Sequence, residues 1–523
     1  MVNLALFNTL RGRRAPATDA VNREGTPAYA FSPKHALAQF AATGCLNATF
    51  YASAESQLDT VLKLAANLDE AFVAQTAVYA REHAFMKDVS ALLCAALTDP
   101  GRPQADVRLL ERIFPRVIDN GRMLRTFVQI MRSGAVGRKS LGSAPKRMVR
   151  DWLAARTETQ LFYASVGQSP SLADVVRMVH PTPATPERAA FYGYLLGRAH
   201  DAALLPEVVR AFEQFKRDPS APVPDVPFQM LTALDLDREA WAAVARRATW
   251  QTTRMNLNTF ARHGVFGVEG MTDLVAERLR DRRAIRRARV FPYQLLIAFT
   301  QASEAVPGSV RAALQDAMEV AVENVPAVEG RVVVCPDVSG SMTSPATGYR
   351  RGATSAVRCV DVASLVAAAV LRANPSATVL PFENRVVDVR LNPRDSVMTN
   401  ATRLASVGGG GTNCSAPLAR LNKQRAQADL VLFVSDNQSW VDAQWGGGGT
   451  AMLREWNALK QRCPHARLVC LDVQPYRTSQ VTDREDILNV GGFSDRVFDV
   501  IARFAEHGLD PGHWVGEIER VEL

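Results

Sequence analysis

The sequence predicts an α-helical repeat solenoid followed by an α/β doubly wound domain. Three observations carry that prediction. Apolar residues recur at helical spacing from about residue 31 to about residue 327. Strand-like runs alternate with helical ones from about residue 328 to residue 523. The two regimes meet at "VPAVEGR", residues 325–331, a stretch with neither period. A chain of 523 residues is too long for one core, so more than one domain is expected. We divide it into an N-terminal extension (1–30), a helical-repeat domain (31–327) and an α/β domain (328–523).

The helical half is read from its spacing. Leu58, Val61, Leu62 and Ala65 fall at i, i+3, i+4 and i+7, as do Val89, Leu92, Leu93 and Ala96. Turn signals such as "HPTPATP" at 180–186 and "DPSAPVPDVP" at 218–227 separate the segments. Many short amphipathic helices in succession predict stacked antiparallel pairs. No fixed repeat length is visible, so the repeat is degenerate.

The second half begins with "RVVVC", a buried strand. "DVASLVAAAVLRA" follows as a helix, with Asp361 as N-cap and Val362, Leu365, Val366 and Ala369 on one face. "ATVLPF", "RVVDVRL", "DLVLFVSD" and "ARLVCLDV" read as further strands, and the alternation predicts a mainly parallel sheet. Ligands of such sheets bind beyond the carboxyl ends of the strands.

Composition narrows the class. Apolar residues make up 47% and charged residues 22%, an ordinary globular balance. No run approaches the roughly 20 apolar residues of a membrane span, so no membrane partner is expected. In "MVNLALFNTLRGRRAP" the basic residues follow a short apolar stretch, the wrong order for a signal peptide, and a cytoplasmic protein is expected. Cysteines at 45, 94, 335, 359, 414, 463 and 470 include no C-x-x-C pair, so buried reduced thiols are expected. The net charge of +8 weakly favours a polyanionic partner.

Two strands end in acid, in "VVVCPDVSGSM" and "LVLFVSDNQ", and a glycine-rich loop, "GGGGTN" at 408–413, lies between them. Together they offer Asp337, Ser339, Ser341, Thr412 and Asp436: two carboxylates and three hydroxyls, with no nitrogen or sulfur donor. An oxygen-only set suits a hard divalent ion, Mg²⁺, Ca²⁺ or Mn²⁺. Few anionic donors on short side chains leave room for the waters that Mg²⁺ keeps, so Mg²⁺ is the expected cofactor. A phosphate-binding P-loop would need a lysine that "GGGGTN" lacks, and "DVSGSM" is not the G-x-S-x-G of a hydrolase elbow. No general base pairs with a nucleophile nearby, so no enzyme is expected.

This constellation resembles the metal-ion-dependent adhesion site of von Willebrand factor A domains. D-x-S-x-S, a threonine after a glycine-rich loop and a strand-ending aspartate all match in order. The resemblance implies that the serines and threonine ligate the ion directly, that the aspartates act directly or through water, and that one coordination position stays open for a partner's carboxylate.

The helical half carries a basic segment. From Arg102 to Arg156 there are thirteen Arg or Lys against four Asp or Glu. Glycines and a proline interrupt its densest part, so Arg138, Lys139, Lys146 and Arg147 are expected to flank a loop and a helix N-terminus, a phosphate-binding arrangement. The arginine-rich run at 277–294 reads as a solvated face with intrahelical pairing. Asn256 and Asn258 read as helix-end caps.

"RSGAVGRKSLGSAPKRMVRDWL", "VVRMVHPTP", "TTRMNLNTFARHGVFG" and "ARVFPYQLL" are similar to the TROVE module of Ro60-type RNA-binding proteins. Those proteins join a ring of HEAT-like repeats to a C-terminal von Willebrand A domain, the order expected here. The resemblance implies Y-like RNA on the ring's basic surface and the 3′ ends of misfolded non-coding RNA in its hole. In bacteria it implies a 3′ exonuclease reached through the RNA. His180 matches a histidine implicated in RNA binding, and the basic segment matches in type. One departure stands out: residues 161–174, just before His180, contain no Lys or Arg. The leading expectation is a monomeric RNA-binding protein of RNA quality control. The alternative is a protein-interaction scaffold whose metal site grips an acidic partner residue.

Overall fold

The structure is a computed structural model that describes residues 15–43, 46–101, 107–288, 290, 292–323, 325, 327–346, 348–349, 357–440, 449–474, 476–492, 495–507 and 513–523. Helices follow one another from Pro33–Thr43 to Gly308–Ala321, and no strand interrupts them among the described residues. The spacing argument holds at side-chain level. In the helix Asp88–Ala96 the residues Val89, Leu92, Leu93 and Ala96 are all buried. In Ala54–Ala66, Val61 and Ala65 are buried while Leu58 and Leu62 pack partly against the same core. Neighbours in sequence are neighbours in space: Glu70–Glu82 packs on Asp88–Ala96, and Pro292–Thr300 packs on Gly308–Ala321.

After Ala321 the chain enters the sheet. We number the strands in chain order: β1 (Ala20–Val21), β2 (Pro27–Ala30), β3 (Val332–Pro336), β4 (Thr378–Val379), β5 (Leu430–Ser435), β6 (Arg467–Asp472), β7 (Thr478–Ser479) and β8 (Ile487–Gly491). Five of them form a parallel sheet in the order β4-β3-β5-β6-β8. β3 and β5 are buried along their whole length, as continuous apolar runs in a sheet covered on both faces should be. The architecture is the expected one, helical repeats followed by a parallel α/β domain.

Three local expectations change. Asp361 is not the N-cap of its helix. The helix spans Cys359–Ala373, and Asp361 sits three residues after the capping position, reaching back to accept from the Arg358 backbone N–H at 2.9 Å. The four apolar residues assigned to one face are all buried. "RVVDVRL" forms no strand. The chain turns back at Phe382, which bridges Val386, and then runs on without a ladder partner while Val387, Val389 and Leu391 pack against the large core. Finally, the arginines of 277–294 pair between helices rather than within one: Arg282 and Arg286 both reach Glu323, and Arg280 reaches Asp316 at 2.7 Å.

The N-terminal segment joins the α/β half. β1 and β2 form an antiparallel hairpin, and β2 pairs with β7. The helix Pro33–Thr43 packs on β8 and on the last helix, His513–Glu519. Cys45 lies outside the described residues; the other six cysteines are buried free thiols. Among the described residues no helix is long and apolar enough to cross a membrane.

Candidate functional site

The parallel register brings the two acid-ending strands side by side. Pro336 of β3 lies opposite Val434 of β5, and Asp337 extends the ladder by donating its N–H to the Val434 carbonyl at 2.9 Å. The chain then turns sharply. Asp337 Oδ1 accepts from the Ser339 backbone N–H at 2.9 Å, and the Ser339 and Ser341 hydroxyls lie 3.3 Å apart. The glycine-rich loop folds onto this turn: Gly409 N–H donates to the Val338 carbonyl and Gly340 N–H to the Gly410 carbonyl, both at 2.8 Å. Gly408 makes the approach possible. Its φ is +88°, and a Cβ there would stand 2.3 Å from the Val338 carbonyl oxygen. Thr412 is thereby carried to the same end of the sheet, where its carbonyl accepts from Trp440 N–H at 3.1 Å and from the Ser439 hydroxyl at 3.3 Å. All five residues are buried, Asp337 completely.

The electrostatics leave a gap. Asp337 Oδ2 accepts from the Ser435 hydroxyl at 2.6 Å, and Asp436 Oδ1 accepts from the Gln438 backbone N–H at 3.2 Å. Among the described residues Asp436 Oδ2 is buried without a hydrogen bond of good geometry, although the Ser341 hydroxyl lies close enough to draw the carboxyl down. Burial pushes Asp337 up to about 6, against the pull of Ser339 and Ser435. Burial, with the charge of Asp337 added, pushes Asp436 up to about 7. Two buried carboxylates that destabilise each other, ringed by hydroxyls, fit a hard divalent ion. Among the described residues no three His, Cys, Asp or Glu side chains gather into a cage, so hydroxyl oxygens would supply the rest of the shell.

The basic segment of the helical half takes the predicted form of loop and helix start. Gly134, at φ +86°, ends the helix Gly121–Ser133, and the next helix begins at Ser143 behind Gly142. The four cations differ in what they touch. Arg138 is half-buried and donates to the Thr98 carbonyl. Arg147 is exposed and paired with Glu111. Lys139 is exposed and Lys146 half-exposed, in the first turn of the helix Ser143–Ala154, and neither makes an ion pair among the described residues. His180 closes the helix Leu172–Val179 in the left-handed conformation, φ +48°, with its side chain exposed. The Arg150 guanidinium donates to the Val179 carbonyl at 2.5 Å, so the basic helix and the histidine corner are joined. At the other end of the helix Ser143–Ala154 opens a cleft of about 910 Å³ lined by Arg122, Arg125, Trp152, Arg156 and Tyr163 among others. Asn258 is structural: it donates to the Gln301 carbonyl and accepts from the Ser303 N–H.

A family model described as the Ro60 vWA domain matches residues 331–505. The chain is also 25% identical to the RNA-binding protein RO60 of Deinococcus radiodurans, over 92% of its own length and 94% of that protein. The similarity to Ro60 proteins runs through both halves of the chain. A second relative, the RNA-binding protein RO60 of Caenorhabditis elegans, is 22% identical over 45% of this chain and 37% of that protein. The fold is similar to the crystal structure of the Ro (RSR) protein of D. radiodurans, with a TM-score of 0.62 at 22% identity, covering 91% of this chain and 99% of that one.

In this chain several residues at the strand-end site escaped sequence reasoning. Ser435 is one; only the β3–β5 register sets its hydroxyl against Asp337. Asp472 is another, a third strand-ending acid, at the end of β6. It is fully buried and accepts from Gln39 Nε2 at 3.0 Å and from Asn437 Nδ2. Burial, with the charge of Asp436, pushes it well up. Tyr51 is a third: its hydroxyl donates to Glu24, and burial, with the charge of Asp436, pushes the phenol well up. The acid at the end of β6 was visible in "RLVCLD"; nothing local marks Tyr51 or Glu24.

Proposed function

We propose that this chain captures RNA on its helical half and carries a divalent-ion site, most suited to Mg²⁺, at the strand ends of its A domain. The observation that carries the RNA reading is the junction of the basic loop with the histidine corner. Arg150 ties the two together, and Lys139, Lys146 and His180 all remain accessible. Cations at a helix start beside an exposed imidazole suit phosphate and base contacts. The RO60 relatives are named RNA-binding proteins, and the similarity runs through both halves. We extend the reading to Y-like RNA and the 3′ ends of structured or misfolded non-coding RNA, handled in the cytoplasm by a monomer that performs no catalysis itself. A 3′ exonuclease would be reached through the RNA. At the metal end, Asp337, Ser339, Ser341, Thr412 and Asp436 would hold the ion, which would supply positive charge to two buried carboxylates. The Oδ2 of Asp436, buried without a hydrogen bond of good geometry, also supports a second reading, a scaffold that grips an acidic partner residue through the ion.

Lys139 and Lys146 make the cleaner RNA test, because Arg138 also holds the Thr98 carbonyl. Lys139→Gln with Lys146→Gln should weaken RNA binding and flatten its salt dependence by about 0.7 to 0.9 per lost contact. His180→Ala should lower affinity while shifting stability by no more than about 0.5 kcal/mol, as for an exposed side chain. Binding isotherms at several salt concentrations and thermal melts measure both. A folded double variant with the wild-type salt slope sinks the assignment.

A further inference from the structure

Behind the two carboxylates of the strand-end site lies a buried chain of hydrogen bonds. Its first link is Ser435, whose hydroxyl donates to Asp337 Oδ2 at 2.6 Å. The direction of that bond is fixed from behind. The Asn437 backbone N–H donates to Ser435 Oγ at 2.9 Å, so the one serine proton is left for the aspartate. Asn437 also shapes the turn that carries Asp436. It stands in the left-handed conformation, φ +55°, and the turn brings the Gln438 N–H back to Asp436 Oδ1 at 3.2 Å. One residue thus sets the surroundings of both carboxylates.

Asn437 is itself held from two sides. Gln480 Nε2 donates to its carbonyl at 3.3 Å, and its own Nδ2 donates to Asp472 Oδ1. The other oxygen of Asp472 accepts from Gln39 Nε2 at 3.0 Å. Gln39 belongs to the helix Pro33–Thr43, which packs on β8 and also on the helices Ala54–Ala66 and Glu70–Glu82. The approach is close: β8 ends in Gly491, where a Cβ would collide with Gln39 Oε1. Ser435, Asn437, Asp472, Gln480 and Gln39 are all buried. Among the described residues the amide oxygens of Gln39, Asn437 and Gln480 lack hydrogen bonds. Apolar side chains would fill this space at lower cost, so the polar cluster serves orientation rather than stability.

We infer that Asn437, Asp472 and Gln39 are positioning residues for the strand-end ion, and that through Gln39 the ion site is coupled to the first helix of the helical half. This rests on the divalent-ion reading above. None of the three is needed as a ligand. They act through Ser435 and through the turn at Asp436, as the hydrogen-bonded partners of metal ligands do. Coupling is reciprocal, so an ion that needs this arrangement also holds the helix that completes it.

The test uses the full chain with Mn²⁺ alone as probe, read by calorimetry. Asn437→Gly keeps the left-handed conformation and removes the amide, and it should weaken Mn²⁺ binding about tenfold or more. Gln39→Met keeps the length of the side chain and removes the donor, and it should weaken binding about threefold or more. Both act through Asp472, so the double variant should lose less than the product of the two single losses. A merely structural role would lower the melting temperature and leave the affinity of the folded molecules unchanged. In the wild type, saturating Mn²⁺ should slow hydrogen exchange of residues 33–43 more than that of the helix Ser143–Ala154. Wild-type Mn²⁺ affinity in both folded variants overturns this inference and leaves the ion site standing, and so does equal slowing in the two helices. No Mn²⁺ binding by the wild type overturns the ion site itself.

Discussion

At the scale of single residues, the two buried aspartates govern how stability responds to pH. Asp337 and Asp436 are raised from 3.8 to about 6 and about 7, chiefly by burial and, for Asp436, by its neighbour's charge. Between about pH 4 and pH 7 the folded, ion-free protein therefore holds more protons than the unfolded chain. Stability rises with pH only where the unfolded state binds more protons, so here these groups lower it as pH climbs. A divalent ion needs both carboxylates ionised, so its affinity should grow over the same window. Mg²⁺ at a hundredfold excess over its dissociation constant should then add about 2.7 kcal/mol near pH 8. Asp436→Asn should flatten the ion-free slope and remove the Mg²⁺ increment. Melts from pH 5 to pH 8, with and without Mg²⁺, decide it; a variant that keeps the wild-type slope contradicts the assignment.

At the scale of elements, the site depends on one loop lying flat on another. Gly408 is the pivot, because its Cβ position is filled by the Val338 carbonyl and its φ is positive. Gly408→Ala should add strain of about 1–2 kcal/mol and lift the loop that carries Thr412. Gly409, at φ +113°, has open space around its Cβ position, so Gly409→Ala should bring strain without the clash. Mn²⁺ affinity should fall further in the first variant than in the second while circular dichroism stays native. Equal affinities would show that the close approach of the loops does not place Thr412. The basic segment shows the same dependence on neighbouring elements. Arg138 is held by the end of an earlier helix and Arg147 by Glu111, so of four cations in one stretch of sequence two lysines make no ion pair among the described residues.

At the scale of the whole molecule, the first helices meet the last. Lys34 pairs with Glu519 at 2.6 Å, Gln75 Nε2 donates to the Glu519 carbonyl at 2.7 Å, and the rings of Tyr79 and Trp514 meet edge to face at 5.4 Å. One continuous apolar cluster runs from Ala36 in the first helix to Ile518 in the last and takes in both helices and sheet. The boundary at 327/328 separates two kinds of secondary structure, yet the sheet half is finished by residues 20–43. Residues 328–523 expressed alone should therefore melt well below the full chain. They would leave β7 without its β2 partner and Asp472 without Gln39. Adding residues 15–43 back as a separate peptide should raise that melting temperature. An isolated fragment as stable as the full chain would show that the N-terminus contributes nothing to the A domain.

The sequence by itself determined the order of the halves, the parallel sheet and the buried faces of the helices, and it pointed to five oxygen-bearing side chains at the strand ends. Each of these is local. Helical and strand periods lie within a dozen residues, and D-x-S-x-S completes its turn inside one loop. Asp361 and "RVVDVRL" were misread because capping geometry and strand pairing depend on which partner is reached, and composition does not record that. Only the tertiary structure decided the rest. It set Ser435 against Asp337, buried Asp472 under Gln39, tied Arg150 to the histidine corner and bound the hairpin to the residues after Asp436. Thr26 and Ser439 are 413 residues apart, and no spacing rule spans that distance. Their meeting is selected by the burial of whole faces and by the need of buried polar groups for partners, two conditions that exist only once the chain has packed.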